Sequence, residues 1–297
     1  MDTTIRIGTR GSKLALWQAN YTQQLLADIG VKAELVIIKT QGDKIQHLGF
    51  DKLEGKGFFT KEIEDALLRG DIDMAVHSMK DMPTEAVEGL VITAVSYRAN
   101  PADCLLIAKD KADSSQVLQL PKNAVVGTSS ARRKAQMLSI RPDTQLKDIR
   151  GNVPTRINKL RAGDFDAILL AAAGIERLDL DVSDLVSIQL NPREFVPAPA
   201  QGVLAWQACK ADKATRRILQ KIHHSDVSAC TNVERKVLQL LEGGCHMPLG
   251  VYCMQDAQSN YHVWAAIADT WDSPLKTFRL SSSTKSGLAK QVFDGLK

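Results

Sequence analysis

Short apolar runs alternate along the chain with segments whose apolar residues recur every three or four positions, the pattern of an α/β protein. Ile5-Arg6-Ile7-Gly8 reads as a first strand. Ser12 is placed to cap a helix whose apolar side carries Leu14, Leu16, Trp17 and Leu25. Leu35-Val36-Ile37-Ile38 reads as a second, buried strand. A polar, glycine-punctuated loop then runs from Thr40 to Gly57. A helix is expected from about Phe59 to Arg69, and a strand at Met74-Ala75-Val76.

A second unit of the same pattern begins near Cys104. Val125-Val126 is a strand, Gly127-Thr128-Ser129-Ser130 opens a helix, and Asn152 or Pro154 opens another that ends at Gly163. Ala167-Ile168-Leu169-Leu170 reads as a further buried strand. The proline-rich stretches at Asn191-Pro192 and Pro197-Ala198-Pro199 suggest a crossover between domains. After Gly202 two helices are expected, about Lys213 to His223 and Val227 to Leu241. Alternating segments follow at Gly250 to Met254, Tyr261 to Ala268 and Leu275 to Leu280, the signature of an antiparallel sheet, and a last helix closes the chain. Two similar α/β units suggest a cleft, where ligands commonly bind.

The net charge of +4 on 297 residues gives no whole-protein basic field for nucleic acid. The start has no signal-peptide apolar core, and the longest apolar runs fall short of a membrane span. Five scattered cysteines without a CxxC pair argue against a disulfide framework and a zinc site, so no metal is expected and a reducing cytoplasm is the expected home.

Positive charge is concentrated instead. Between Ser130 and Arg161 lie Arg132, Arg133, Lys134, Arg141, Lys147, Arg150, Arg156, Lys159 and Arg161, opposed only by Asp143 and Asp148. A solvated helix face is the ordinary reading of such a run. Here, however, the arginines open helices, where backbone amides already favour an anion and the guanidinium fork grips carboxylate or phosphate. His77-Ser78-Met79-Lys80-Asp81-Met82-Pro83 follows an apolar strand. It reads equally as a local Lys-Asp pair or as a polar site at a strand end.

Cys245 sits in Leu241-Glu242-Gly243-Gly244-Cys245-His246-Met247-Pro248, with two glycines giving it clearance and a proline stopping any helix. That favours a thiol that carries something over a thiol packed in a turn. A cysteine hydrolase is disfavoured, because adjacent His246 and Cys245 rarely have base-nucleophile geometry. No complete GxxxxGK[ST] pattern is present.

Six segments in order resemble the hydroxymethylbilane synthase family, also called porphobilinogen deaminase: Ile7 to Ala15, His77 to Pro83, Gly127 to Arg133, Arg150 to Arg156, Ala171 to Leu178 and Leu241 to Pro248. The resemblance implies a transferase of tetrapyrrole and haem biosynthesis. It condenses four porphobilinogen molecules head to tail, with loss of ammonia, onto one covalent dipyrromethane per chain, and then releases the linear tetrapyrrole with water. It implies catalysis by Asp81 and a thioether to Cys245. Cofactor binding falls to Lys80, Ser129, Ser130, Arg132, Arg133 and Gly174, and substrate binding to Arg10, Arg150, Arg156 and Arg177.

The implied fold is two periplasmic-binding-protein-like (type II) α/β lobes plus a small α+β domain. The domains are residues 1–99 with 197–217, residues 104–193, and residues 220–297 carrying the cysteine. A monomer is expected, with porphobilinogen as its small-molecule partner and no nucleic acid or membrane. The chain departs from the family at His246 (usually glutamine), at Gln207 (usually glutamate) and in Arg98 to Asp103, which lacks the acidic pair and second arginine. The competing readings are a non-catalytic module for a carboxylated ligand on the same fold, and phosphate or nucleic-acid binding through the arginines.

Overall fold

The computed structural model describes residues 4–40, 60–242 and 247–297. The elements run β1 (Ile5–Thr9), α1 (Lys13–Asp28), β2 (Ala33–Ile37), α2 (Lys61–Arg69), β3 (Met74–Ser78), β4 (Leu90–Val95), β5 (Asp103–Ala108) and β6 (Val125–Gly127). They continue with α3 (Ala131–Ile140), β7 (Gln145–Lys147), α4 (Val153–Arg161), β8 (Ala167–Ala171), α5 (Ala172–Arg177), β9 (Leu185–Gln189) and β10 (Leu204–Cys209). The last are α6 (Lys213–Gln220), α7 (Ser225–Leu240), β11 (Leu249–Gln255), β12 (Tyr261–Ile267), β13 (Lys276–Ser282) and α8 (Leu288–Leu296). No described helix is long and apolar enough to cross a membrane.

The chain divides into two compact units. One comprises Met1–Ala99 and Gly202–Thr231, the other Asn100–Gln201 and Asn232–Lys297. The first unit holds a five-stranded sheet of order β2-β1-β3-β10-β4. Its β1 runs parallel to β2 and β3, while β10 is antiparallel to β3 and β4. The second unit repeats the plan as β7-β6-β8-β5-β9, with β6 parallel to its two neighbours and β5 antiparallel to its own. A three-stranded antiparallel sheet, β11-β12-β13, completes it. The α/β class expected from the sequence is the class observed.

Why β5 and β8 read as unbroken apolar runs follows from their burial. Leu105 and Ile107 pack into one core cluster with Leu169, while Leu106 packs into another with Ile168 and Leu170. Both faces of the sheet are covered, so the two-residue period has no polar phase. Gly250 lets β11 run close to Val196, where a Cβ would strike the Val196 carbonyl. Val251 N donates to Pro197 O at 3.0 Å across that approach.

The structure corrects some element readings. The second strand spans Ala33–Ile37 and is an edge strand, with Ile37 57% exposed, rather than a buried one. The stripe that α1 buries is Gln18, Ala19, Thr22 and Leu26, whereas Leu14, Leu16, Trp17 and Leu25 are half-buried. Polar residues occupy that stripe because they have partners. Trp206 Nε1 donates to Thr22 Oγ1 at 2.9 Å, and Gln18 Nε2 donates to Ser78 Oγ at 2.8 Å. Cys209 is half-buried and donates to Leu67 O at 3.1 Å.

Candidate functional site

In the first unit, three local devices bring separate segments to one place. Thr9 Oγ1 donates to Ala15 O at 3.1 Å, closing the turn after β1 that carries Arg10. Ser12 caps α1, accepting from Ala15 N at 3.3 Å, as its sequence position predicts. At the end of β3 the chain makes a 3₁₀ turn, Met79–Asp81, tied by Met79 N to Val203 O at 2.9 Å and anchored by buried Met79 and Met82. Asp81 is thus exposed on a turn whose flanks are fixed. Arg10, Ser12, Gln18, Thr60, His77, Ser78 and Asp81 line one pocket. Lys80, half-buried, precedes Asp81 on the same turn.

Behind that pocket runs a buried polar chain. His77 Nε2 meets Gln207 Oε1 at 3.1 Å, Gln207 Nε2 donates to Glu64 Oε1 at 3.0 Å, and Thr60 Oγ1 donates to Glu64 Oε2 at 3.1 Å. The amide at Gln207 donates to Glu64, which a glutamate there does only by carrying a proton. Burial pushes the His77 pKa down to about 4, against the pull of Gln207 and with help from the Arg10 charge. His77 is therefore neutral at pH 7.

In the second unit, the Gly127–Ser130 turn is clamped to the segment that precedes Arg150. Ser129 Oγ donates to Ile149 O at 2.9 Å and accepts from Ile149 N at 3.0 Å. Ser130 caps α3, accepting from Arg133 N at 3.4 Å. Arg132 and Arg133 are buried and both bind Asp103. Arg132 Nη1 lies 2.6 Å from Asp103 Oδ2, while Arg133 Nε and Nη2 lie 3.0 and 2.7 Å from Oδ1. Arg132 Nη1 also donates to Val196 O at 3.0 Å, and Arg133 Nη1 donates to Leu169 O at 3.1 Å. Gln201 Nε2 adds a bond to Asp103 Oδ1 at 3.0 Å. Burial alone would raise the Asp103 pKa, but the two guanidinium charges overcome it and hold the carboxyl well below the usual range.

Arg156 donates from Nε to Gly151 O at 2.7 Å. Its pKa is lowered to about 10 by burial and by the charges of Arg133 and Arg150. Arg133, Arg150 and Arg156 therefore form one cationic neighbourhood. Gly174 and buried Arg177 lie on α5, where a Cβ at Gly174 would meet Val153 Cγ2 at 3.4 Å. Asn100, in the Arg98 to Asp103 segment that departs from the family, donates to Glu176 Oε1 at 2.9 Å and Gln189 Oε1 at 3.1 Å.

Gly243, Gly244, Cys245 and His246 lie outside the described residues, as does the expected loop beyond Thr40. The sequence reading missed Asp103, Gln18 and Thr60. No sequence signal marked Gln18, because the apolar side read from the pattern is not the stripe that α1 buries. A guanidinium and a carboxylate on one pocket can hold an acidic ligand and face positive charge that develops on it.

This pocket lies on a chain that carries two five-stranded α/β sheets of one topology. Residues 5–217 match the family described as "Porphobilinogen deaminase, dipyromethane cofactor binding domain". A porphobilinogen deaminase of Nitratiruptor sp. is 45% identical over 247 residues, covering 83% of this chain and 77% of that protein. One of Trichlorobacter lovleyi is 46% identical over 250 residues, covering 84% and 78%. One of Lawsonia intracellularis is 43% identical over 281 residues, covering 94% and 89%. Among solved structures, the GluR0 ligand-binding core in complex with L-glutamate overlaps 74% of this chain and 90% of its own, at 11% identity and a TM-score of 0.42. The chain belongs to the porphobilinogen deaminase family.

Proposed function

We propose that this chain is a hydroxymethylbilane synthase. It joins four porphobilinogen molecules head to tail, losing one ammonia at each step, and releases the linear tetrapyrrole by hydrolysis. The observation that carries this reading is the pocket lined by both Arg10 and Asp81, in a chain of this family.

Each porphobilinogen carries two carboxylates and an aminomethyl group. Arg10 meets a carboxylate with its planar fork. Asp81 faces the pyrrole nitrogen, where positive charge develops as the aminomethyl nitrogen departs as ammonia. A carboxylate fixed beforehand stabilises that charge without reorganising. The cationic methylene left on that ring is bonded by the free pyrrole carbon of the growing chain, which gives up its proton to water, while Asp81 holds the ring N–H. His77, neutral at pH 7, adds no positive charge against the developing cation.

The residues of the second unit fit a polycarboxylate cofactor. Arg156 sits among like charges and in burial that lowers its pKa to about 10, an environment that favours an anion beside it. Ser129, Ser130, Arg132, Arg133 and Gly174 are its assigned contacts there, with Lys80 in the first unit and Cys245 as the thioether anchor. Arg132 and Arg133 act from positions set by Asp103. Arg150, Arg156 and Arg177 take carboxylates of the substrate rings. When bound, the dipyrromethane supplies the free pyrrole carbon to which each new ring is joined.

A cytoplasmic monomer that takes porphobilinogen, and neither nucleic acid nor membrane, completes the proposal. Peptide mapping of the purified chain tests the anchor. The peptide bearing Cys245 carries the added dipyrromethane, and Cys245→Ser lacks it. An active enzyme with unmodified Cys245 would overturn the assignment.

A further inference from the structure

A second pocket in the first unit shares no residue with the one around Asp81. Thr93, Lys213, Arg216, Arg217 and Gln220 line it. Its basic residues come from one face of α6, because positions i, i+3, i+4 and i+7 of a helix lie together. Three cations so placed repel one another, and no carboxylate lines the pocket. The nearest acidic residue in sequence, Asp212, accepts from Thr215 N at 3.0 Å as the helix cap.

A basic helix face alone is usually a solvated surface. Two buried atoms change that. Thr93 is 8% exposed, and its Oγ1 has no hydrogen-bond partner among the described residues. The same holds for Arg216 Nε, although Arg216 Nη1 donates to Lys210 O at 2.9 Å. Gln220 Nε2 is committed to Thr93 O, so it does not serve the hydroxyl. Buried polar groups in folded proteins are nearly always bonded. Here a hydroxyl and a guanidinium N–H lack partners at one pocket that also holds two further cations.

We infer that this pocket binds a phosphate-type oxyanion, with Thr93 Oγ1 and Arg216 Nε donating to its oxygens and Lys213 and Arg217 supplying charge. A doubly charged tetrahedral anion answers three converging cations better than a single carboxylate does.

The test is titration of phosphate-free holoenzyme with inorganic phosphate at low ionic strength, followed by calorimetry, alongside two variants. Lys213→Gln/Arg216→Gln weakens phosphate binding at least tenfold while porphobilinogen turnover is unchanged. Thr93→Val keeps the shape of the side chain and weakens binding severalfold. It also raises Tm in phosphate-free buffer, because an unbonded buried hydroxyl has been removed. A wild-type chain that binds no phosphate would overturn the inference. So would equal affinity in the double variant, which would put the anion on the arginines of the pyrrole site. Tighter binding of citrate than of phosphate through the same residues would make this a polycarboxylate site and overturn the ligand class.

Discussion

The Asp103 carboxylate lies 2.7 Å from the Arg133 guanidinium, and the aspartate has no solvent exposure at all. Arg132 binds the other oxygen of the same group at 2.6 Å. One carboxylate thus fixes two arginines to which the family resemblance gives a cofactor-binding role. Replacing it by asparagine leaves two buried guanidinium groups without a counter-charge. Asp103→Asn should cost about 3–5 kcal/mol, read as a lower urea midpoint, and should weaken retention of the dipyrromethane. Stability from this carboxyl is present above the usual aspartate range and is lost only as pH falls through its depressed folded value. It should therefore survive mild acid.

His77 behaves differently. Its pKa falls from 6.5 in the unfolded chain to about 4 when folded. The unfolded state then binds more protons between those values, so stability is complete above pH 6.5 and declines as pH drops toward 4. The decline amounts to roughly 3 kcal/mol. His77→Gln should flatten that slope, and urea unfolding at pH 7 and at pH 4.5 measures it. Equal slopes in the two proteins would contradict the buried, neutral histidine.

Gly151 has φ of +112°, and a Cβ there would lie 2.7 Å from Thr155 Cγ2. Its carbonyl also accepts the Arg156 Nε bond. Gly151→Ala should cost about 1–3 kcal/mol in backbone strain. By displacing Arg156 it should raise KM for porphobilinogen more than it lowers kcat. Adding Thr155→Ser removes the methyl and should recover part of the stability, but not the part due to φ.

Much of this was legible in the chain. Ser12 and Asn152 cap the helices their positions predict, and β8 follows from four apolar residues in a row. What stayed hidden depends on pairing at long range. Asp103 opens an apolar strand, and its arginines lie 29 and 30 residues later. Thr22 is buried because of Trp206, 184 residues away. The strand Leu204–Cys209 enters the first sheet between β3 and β4, which no local pattern announces. An apolar run such as Leu35 to Ile38 fits an edge strand and a central one equally well, and pairing with β1 alone decides it. At the site, Arg10, His77 and Asp81 were named from sequence motifs, but the pocket they share required the fold.

The central claim is that the Asp81 pocket builds a tetrapyrrole from porphobilinogen. Its most direct test is the rate at which the pure protein and Asp81→Ala consume porphobilinogen, with the product oxidised to uroporphyrin and read by absorbance. The wild-type chain should give uroporphyrin. The variant should remain folded, because Asp81 is exposed on its turn, and should be slower by a factor on the order of 10²–10³, the usual cost of removing a fixed electrostatic stabiliser. No product from the wild-type holoenzyme, or equal rates from the two proteins, would contradict the account.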